Sequence, residues 1–211
     1  MKYFPLILCL MVFSMPCLAS DDNWHLKKAG NAIKVSQQDT DSGYAITRGS
    51  VEVGASIDAI VSLMHDHAAC YQWLYSCKQS RLIEQYADGS RLDYAVINSP
   101  YLYADRDMYT HTKLSYDRAT KTATITISGK ASYDAGQSGR VRIKDVRGFW
   151  RMTRISENKT AILYQVYNNP QLPPSRYLNN YLAQSVFQTL SNLAVVSKQS
   201  RYRDAILKEL R

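Results

Sequence analysis

Glycine and proline are scarce, 9 and 6 among 211 residues, and neither recurs at a fixed spacing, which excludes collagen-like and repeat architectures. Histidine and cysteine number only four each. There is no Cys-x-x-Cys pair, no His-Glu-x-x-His, no Gly-x-Ser-x-Gly, and no P-loop or Gly-x-Gly-x-x-Gly segment. The common signatures of zinc, hydrolase and nucleotide sites are therefore missing. A Ser/His/Asp set can still assemble in space, because sequence order does not forbid it. After residue 20 no stretch is apolar enough to span a bilayer. What is present is ample core material: 45% of residues are apolar and 21% charged, a balance that predicts one folded domain. A formal net charge of +8 permits contact with anionic surfaces, but it is too dispersed to point to nucleic acid.

Residues 1–19 read as a cleaved signal peptide. Lys2 is followed by an uncharged apolar run from Tyr3 to Met15 and a small-residue exit ending at Ala19. The expected product is a soluble, periplasmic chain of residues 20–211, a single domain. Export removes Cys9 and Cys17 and leaves Cys70 and Cys77 in an oxidising compartment. Seven residues of continuous helix rise about 10.5 Å, beyond the roughly 7 Å limit for a disulfide, so a bridge requires the helix to break between them. Bridged and free thiols both remain open at this point.

Trp24 to Val35 reads as a sparse amphipathic start giving way to a short strand, and Gly43 to Val53 as a second strand. Ser56 is placed to cap a helix with apolar positions Ile57, Ile60, Val61 and Met64; a further turn carries Tyr71, Trp73 and Leu74. Strand patterns follow over Arg81–Tyr86, Leu92–Asn98, Asp107–Tyr116, Thr122–Ser128, Val141–Ile155 and Thr160–Tyr167. Beyond Asn168-Asn169-Pro170 the period changes. Leu178, Leu182, Val186, Leu190 and Leu193 predict one amphipathic helix, extended here to Lys208. The fold class is α+β, a curved antiparallel sheet gripping a long C-terminal helix around an interior space.

At Pro100-Tyr101-Leu102-Tyr103-Ala104-Asp105-Arg106-Asp107-Met108 the chain resembles the Pro-x-x-x-x-x-Arg-Asp-aromatic signature of START, or StAR-related lipid-transfer, domains. Trp24, Val51-Glu52-Val53, Trp73, Gly148-Phe149-Trp150, Tyr164-Gln165-Val166 and Pro174 to Asn180 resemble further parts of that family in order. The chain resembles in particular the short bacterial members that carry an export signal. The resemblance implies a helix-grip fold enclosing a hydrophobic tunnel for one lipid, with Arg106 meeting a headgroup or a buried acid. Leu102 and Met108 depart from the usual proline and aromatic.

Asp93 is the candidate acid facing Arg106, because an unpaired buried guanidinium is costly. Tyr94, Tyr101, Trp150, Tyr181 and Phe187 are candidates to line the ligand space, with Ser185 and Thr189 offering polar atoms along the helix. His65-Asp66-His67 reads as polar residues at a helix end, since side chains at i and i+2 diverge. Arg140, Arg142, Lys144, Arg147, Arg151 and Arg154 form a candidate basic strip for docking on anionic phospholipid. The expected function is non-enzymatic binding, or binding and transfer, of a single lipid or other hydrophobic ligand, phospholipid or sterol-like, with no cofactor, no metal and no nucleic acid. The alternatives are a cavity enzyme of cyclase or hydrolase type and an interaction protein with a filled cavity.

Overall fold

The computed structural model describes residues 23–99, 103–134, 138–173 and 176–211. The signal-type segment and Tyr101 lie outside the described residues. Among the described residues ten strands form one sheet: β1 (His25–Gly30), β2 (Ile33–Gln38), β3 (Ile46–Val53), β4 (Cys77–Gln85), β5 (Arg91–Ile97), β6 (Asp105–Asp117), β7 (Thr122–Gly129), β8 (Arg140–Arg142), β9 (Val146–Ser156) and β10 (Lys159–Asn168). The helices are α1 (Ile57–His65), α2 (Cys70–Trp73), α3 (Arg176–Val196) and α4 (Ser200–Arg203). The path runs β1-β2-β3-β10-β9-β7-β6-β5-β4, antiparallel throughout and not closed; β8 alone is parallel, beside β6. No helix among the described residues is long and apolar enough to cross a membrane.

The first segment is a hairpin rather than a single strand. Asn31 and Ala32 both take positive φ, 50° and 60°, the twist that a two-residue hairpin turn requires. The segment expected as one strand from Val141 divides at Ile143–Asp145. β7 leaves β6 at Gly129, and β8 takes the vacated place along Asp105–Asp107.

Ser56 caps α1 by accepting from the Ala59 amide at 3.1 Å. The helix stops at His65, and a 3-10 turn (His67–Ala69) leads to the four-residue α2. The Leu74 carbonyl then accepts the Cys77 amide, which brings the Cα atoms of Cys70 and Cys77 to 5.9 Å in a disulfide. The break that a bridge requires is present. α3 runs from Arg176 to Val196 and is shorter than the expected helix to Lys208. Beyond it the chain turns back to bury Tyr202 and Leu210. Tyr202 donates to Asp66 and the Leu207 amide to Asp58, so the tail covers α1 instead of extending α3.

Residues paired across a ladder point to the same side of the sheet. Following the registers from Val35 through Gly49, Tyr164, Trp150, Ile125 and Leu114 defines one inner face, over which α3 lies. Close approach of α3 depends on Gly49: a Cβ there would stand 2.6 Å from Leu190 and 2.7 Å from Val186. The main core, from Ile33 and Val35 through Trp73, Trp150 and Met152 to Leu190 and Leu193, lies between this face and the helices.

Candidate functional site

On β5 and β6 the burial alternates the wrong way round for a sheet packed by a helix. Leu92, Tyr94, Val96 and Tyr109 point outward and are only 1–2% exposed, forming a second apolar cluster. The inward residues Ala95, Ile97, Met108 and Thr110 are half-buried, as are Ile127 on β7 and Tyr164 on β10. The inner face between α3 and β5–β7 therefore carries accessible apolar surface on the side where a helix-covered sheet has its core. Burial nevertheless pushes the Tyr164 hydroxyl pKa upward, as expected for a group sheltered from bulk water.

One polar cluster interrupts this face. The Asp93 carboxylate lies 3.2 Å from His67 Nε2 and accepts from the Thr112 hydroxyl at 2.9 Å. His67 Nδ1 meets Ser80 Oγ at 2.7 Å, and Arg91 Nη2 lies 2.9 Å from Nε2. Burial disfavours the Asp93 charge, but hydrogen bonds from His67 and Thr112, with the charge of Arg91, hold its pKa below the ordinary carboxylate value. Nearby His65 is neutral down to a pKa of about 4, chiefly through burial and then through Arg91. The His65-Asp66-His67 triplet does not lie on one helix: α1 ends between the two histidines, and His67 meets Ser80 of β4 and Asp93 of β5.

Arg106 is buried, 4% exposed, at the other end of the face. Its Nε donates to the Pro170 carbonyl at 3.0 Å, and Nη1 donates to the Ala104 carbonyl at 2.5 Å and to Ser99 Oγ at 3.2 Å. Burial disfavours its charge, opposed by Tyr103 and Asp105. It joins the loop before β6 to the loop before α3. Tyr44 adds a hydroxyl bond to the Leu172 carbonyl, and Asn179 joins the start of α3 to Gly43 and Ala45.

The expected pairing of Asp93 with Arg106 does not occur. Both point inward, but Asp93 opposes Thr110 while Arg106 opposes Ile97, four rungs away. The buried acid of the Arg-Asp motif is Asp107 itself, 1% exposed, which faces outward and holds Arg142 through two bonds of 2.8 and 2.9 Å. Tyr94 also faces outward, donating to Asp107 and accepting from Arg140, so it does not line the interior. Phe187 packs on Gly30 of β1 beneath Lys28, away from β5–β7. Trp150 is inward, stacked on Tyr164 at 3.7 Å between ring centres and edge-on to Trp73. Tyr181 lies beside Tyr75, where α3 meets α2. Ser185 bonds back to the Leu182 carbonyl, and buried Thr189 accepts the Tyr75 amide.

Within the basic strip Arg142 pairs with Asp107 and Asp134, Arg147 pairs with Asp145, and Arg140 donates to Tyr94. Two polar clefts lie elsewhere, about 360 Å³ around Gln37, Arg176 and Asn180 and about 370 Å³ around Ser56, Ser197 and Arg203. Neither offers the apolar walls of the inner face. His67, Ser80, Arg91 and Thr112 were not singled out together by sequence. Only the register of β4, β5 and β6, set by two bulges in β4, brings them to one spot.

No family model matches the chain. An uncharacterized protein of Pseudomonas aeruginosa is 24% identical over 189 residues, covering 89% of this chain and 93% of that protein. Among solved structures, a STAR-related lipid transfer protein from Xanthomonas axonopodis superposes with a TM-score of 0.76 at 24% identity, covering 84% of this chain and all of that fragment. Human StAR-related lipid transfer protein 5 superposes at 0.73 with 15% identity, covering 87% of this chain and 90% of its own. With its curved antiparallel sheet, its C-terminal helix and these superpositions, the chain has the fold of the START, or StAR-related lipid transfer, domains.

Proposed function

We propose that the protein binds one hydrophobic ligand, a lipid with a long apolar portion, between the inner face of β5–β7 and α3. The observation that carries this reading is the inverted burial on β5 and β6. Apolar side chains directed toward the helix keep accessible surface, while those directed away from it are sealed. Covering the inner residues with a hydrocarbon chain would gain about 25 cal/mol per Å² of apolar surface. The names of the superposed structures, both lipid transfer proteins, support the same reading.

The loop from Asn169 to Pro173 is the door in this reading. It is held by Arg106 at Pro170 and by Tyr44 at Leu172, and it opens when these contacts break. The apolar N-terminal run supports export, which would place the carrier in the bacterial periplasm. The test is native mass spectrometry of gently purified protein, followed by extraction and a lipid panel. One co-purified or acquired lipid per chain is expected. A chain that arrives empty and takes up no phospholipid, sterol or fatty acid contradicts the reading.

A further inference from the structure

Ser80, His67 and Asp93 stand in line on the inner face, Ser80 Oγ 2.7 Å from His67 Nδ1 and Asp93 Oδ1 3.2 Å from Nε2 in a charge contact in which Oδ1 takes no hydrogen bond, and we propose that they form a hydrolytic site for an acyl ester or thioester. The proposal rests on the binding reading above: the hydrocarbon chain would lie along β5–β7, and its carbonyl would reach the cluster. Ser80 opposes Ala95, and Thr112 supports Asp93 from the neighbouring strand, so the set rests on three adjacent strands and a helical turn. Catalytic triads are defined by such roles and distances rather than by sequence order or fold. The side chains of His67 and Asp93 are 19% and 18% exposed and Ser80 is half-buried, so a bound molecule can reach them.

Arg91 supplies the remaining component. Its Nε is buried and makes no hydrogen bond among the described residues, standing 3.5 Å from Asp93 Oδ1 in an ion pair, and a donor that turns from that carboxylate is suited to a developing oxyanion. His67 Nε2 has two neighbours, Asp93 and Arg91. With the proton on Nε2 it donates to Asp93, leaving the Nδ1 lone pair to accept the Ser80 hydroxyl; the other tautomer accepts from Arg91 and donates to Ser80. Drawing Arg91 onto the acyl oxygen selects the first, reactive tautomer.

In the acylation step Ser80 Oγ forms a bond to the acyl carbon as its proton passes to His67 Nδ1. The bond to the alkoxide or thiolate then breaks, and that leaving group takes the proton. In the second step water attacks the acyl-serine, giving its proton to Nδ1 and its hydroxyl to the acyl carbon. Ser80 Oγ leaves and recovers the proton, releasing a free carboxylic acid. No oxidant or metal enters the balance.

The test uses the purified protein with p-nitrophenyl esters of four to twelve carbons and, separately, an alkyl fluorophosphonate whose attachment is mapped by peptide mass spectrometry. The expected results are one label per chain at Ser80 and hydrolysis above buffer. Ser80→Ala should lose the label, and Ser80→Ala and His67→Gln should each lower kcat by about 1,000-fold while still taking up one lipid per chain. If Ser80→Ala fails to fold, the mapped label on the unaltered chain decides. Lipid uptake with Ser80 unlabelled and esters untouched overturns the hydrolytic site alone, as does a folded Ser80→Ala variant that hydrolyses at the original rate. Neither uptake nor hydrolysis overturns the binding reading and the site with it.

Discussion

The Arg106 guanidinium and the Pro170 carbonyl meet at 3.0 Å, across 64 residues of sequence, and this contact joins the Arg-Asp motif to the loop that precedes α3. The same guanidinium holds Ala104 and Ser99, so a single side chain ties together two loops at one end of the sheet.

Arg106→Ala should therefore loosen the loop more than it weakens ligand contacts. Hydrogen bonds to a charged group contribute about 1.5–3 kcal/mol each, but water replaces part of them at a loop, so a total loss of about 2 kcal/mol is expected in urea unfolding. A fluorescent fatty acid should exchange at least several-fold faster from this variant. An unchanged exchange rate in the folded variant would remove Arg106 from the door.

Asp107 should matter more to stability than Arg106. Its carboxylate is 1% exposed and is shared by Arg142 and Tyr94. Removing one partner of a buried pair costs about 3–5 kcal/mol, and Asp107→Ala should lose that much in chemical denaturation. Asp107→Asn, whose one carbonyl oxygen can still accept from Arg142 Nη2 and Tyr94 while its amide nitrogen replaces the acceptor of Arg142 Nε, should lose less.

The Cys70–Cys77 bridge fixes α2 to the start of β4. For so short a closed loop, chain entropy predicts about 2.5 kcal/mol of stabilisation. The Cys70→Ser/Cys77→Ser double variant should unfold at correspondingly lower urea, and a reducing agent should shift the midpoint of the parent chain but not that of the variant.

Stability should fall with acid in a window set by His65. Its pKa is about 4 in the folded chain against 6.5 ordinarily. Between those values the unfolded chain binds a proton that the folded chain refuses, so unfolding becomes easier as pH drops from 6.5 toward 4. The expected loss is on the order of 2–3 kcal/mol. Denaturation curves at half-unit pH steps should show this slope, and His65→Gln should flatten it.

The strand patterns and the period of α3 were legible because alternation and helical spacing leave direct marks in the chain. The Asn31-Ala32 turn was not, since Ala32 is an unusual residue at positive φ. Neither was the end of α3, where burial of Tyr202 and Leu210 against distant α1 overrides local helix preference. Asp93 faces inward and is half-buried, but it does not meet Arg106. Its neighbour depends on register between β5 and β6, and a shift of one residue reverses every side chain. The outward placement of Tyr94 has the same origin. His67 and Ser80 could be noticed only as a histidine beyond a helix end and a serine in a strand. The bulges that align β4 with β5 carry no clear mark in the sequence.

The most direct test of a ligand space on the inner face is native mass spectrometry of lipid uptake by the parent chain, by Ala95→Trp and by Thr126→Trp. Ala95 points inward beside Ser80 and Met108, whereas Thr126 is exposed on the outer face of β7. If the lipid lies between β5–β7 and α3, the parent and Thr126→Trp should each take up one molecule per chain, and folded Ala95→Trp should take up little or none. Equal uptake by all three folded proteins would contradict that location.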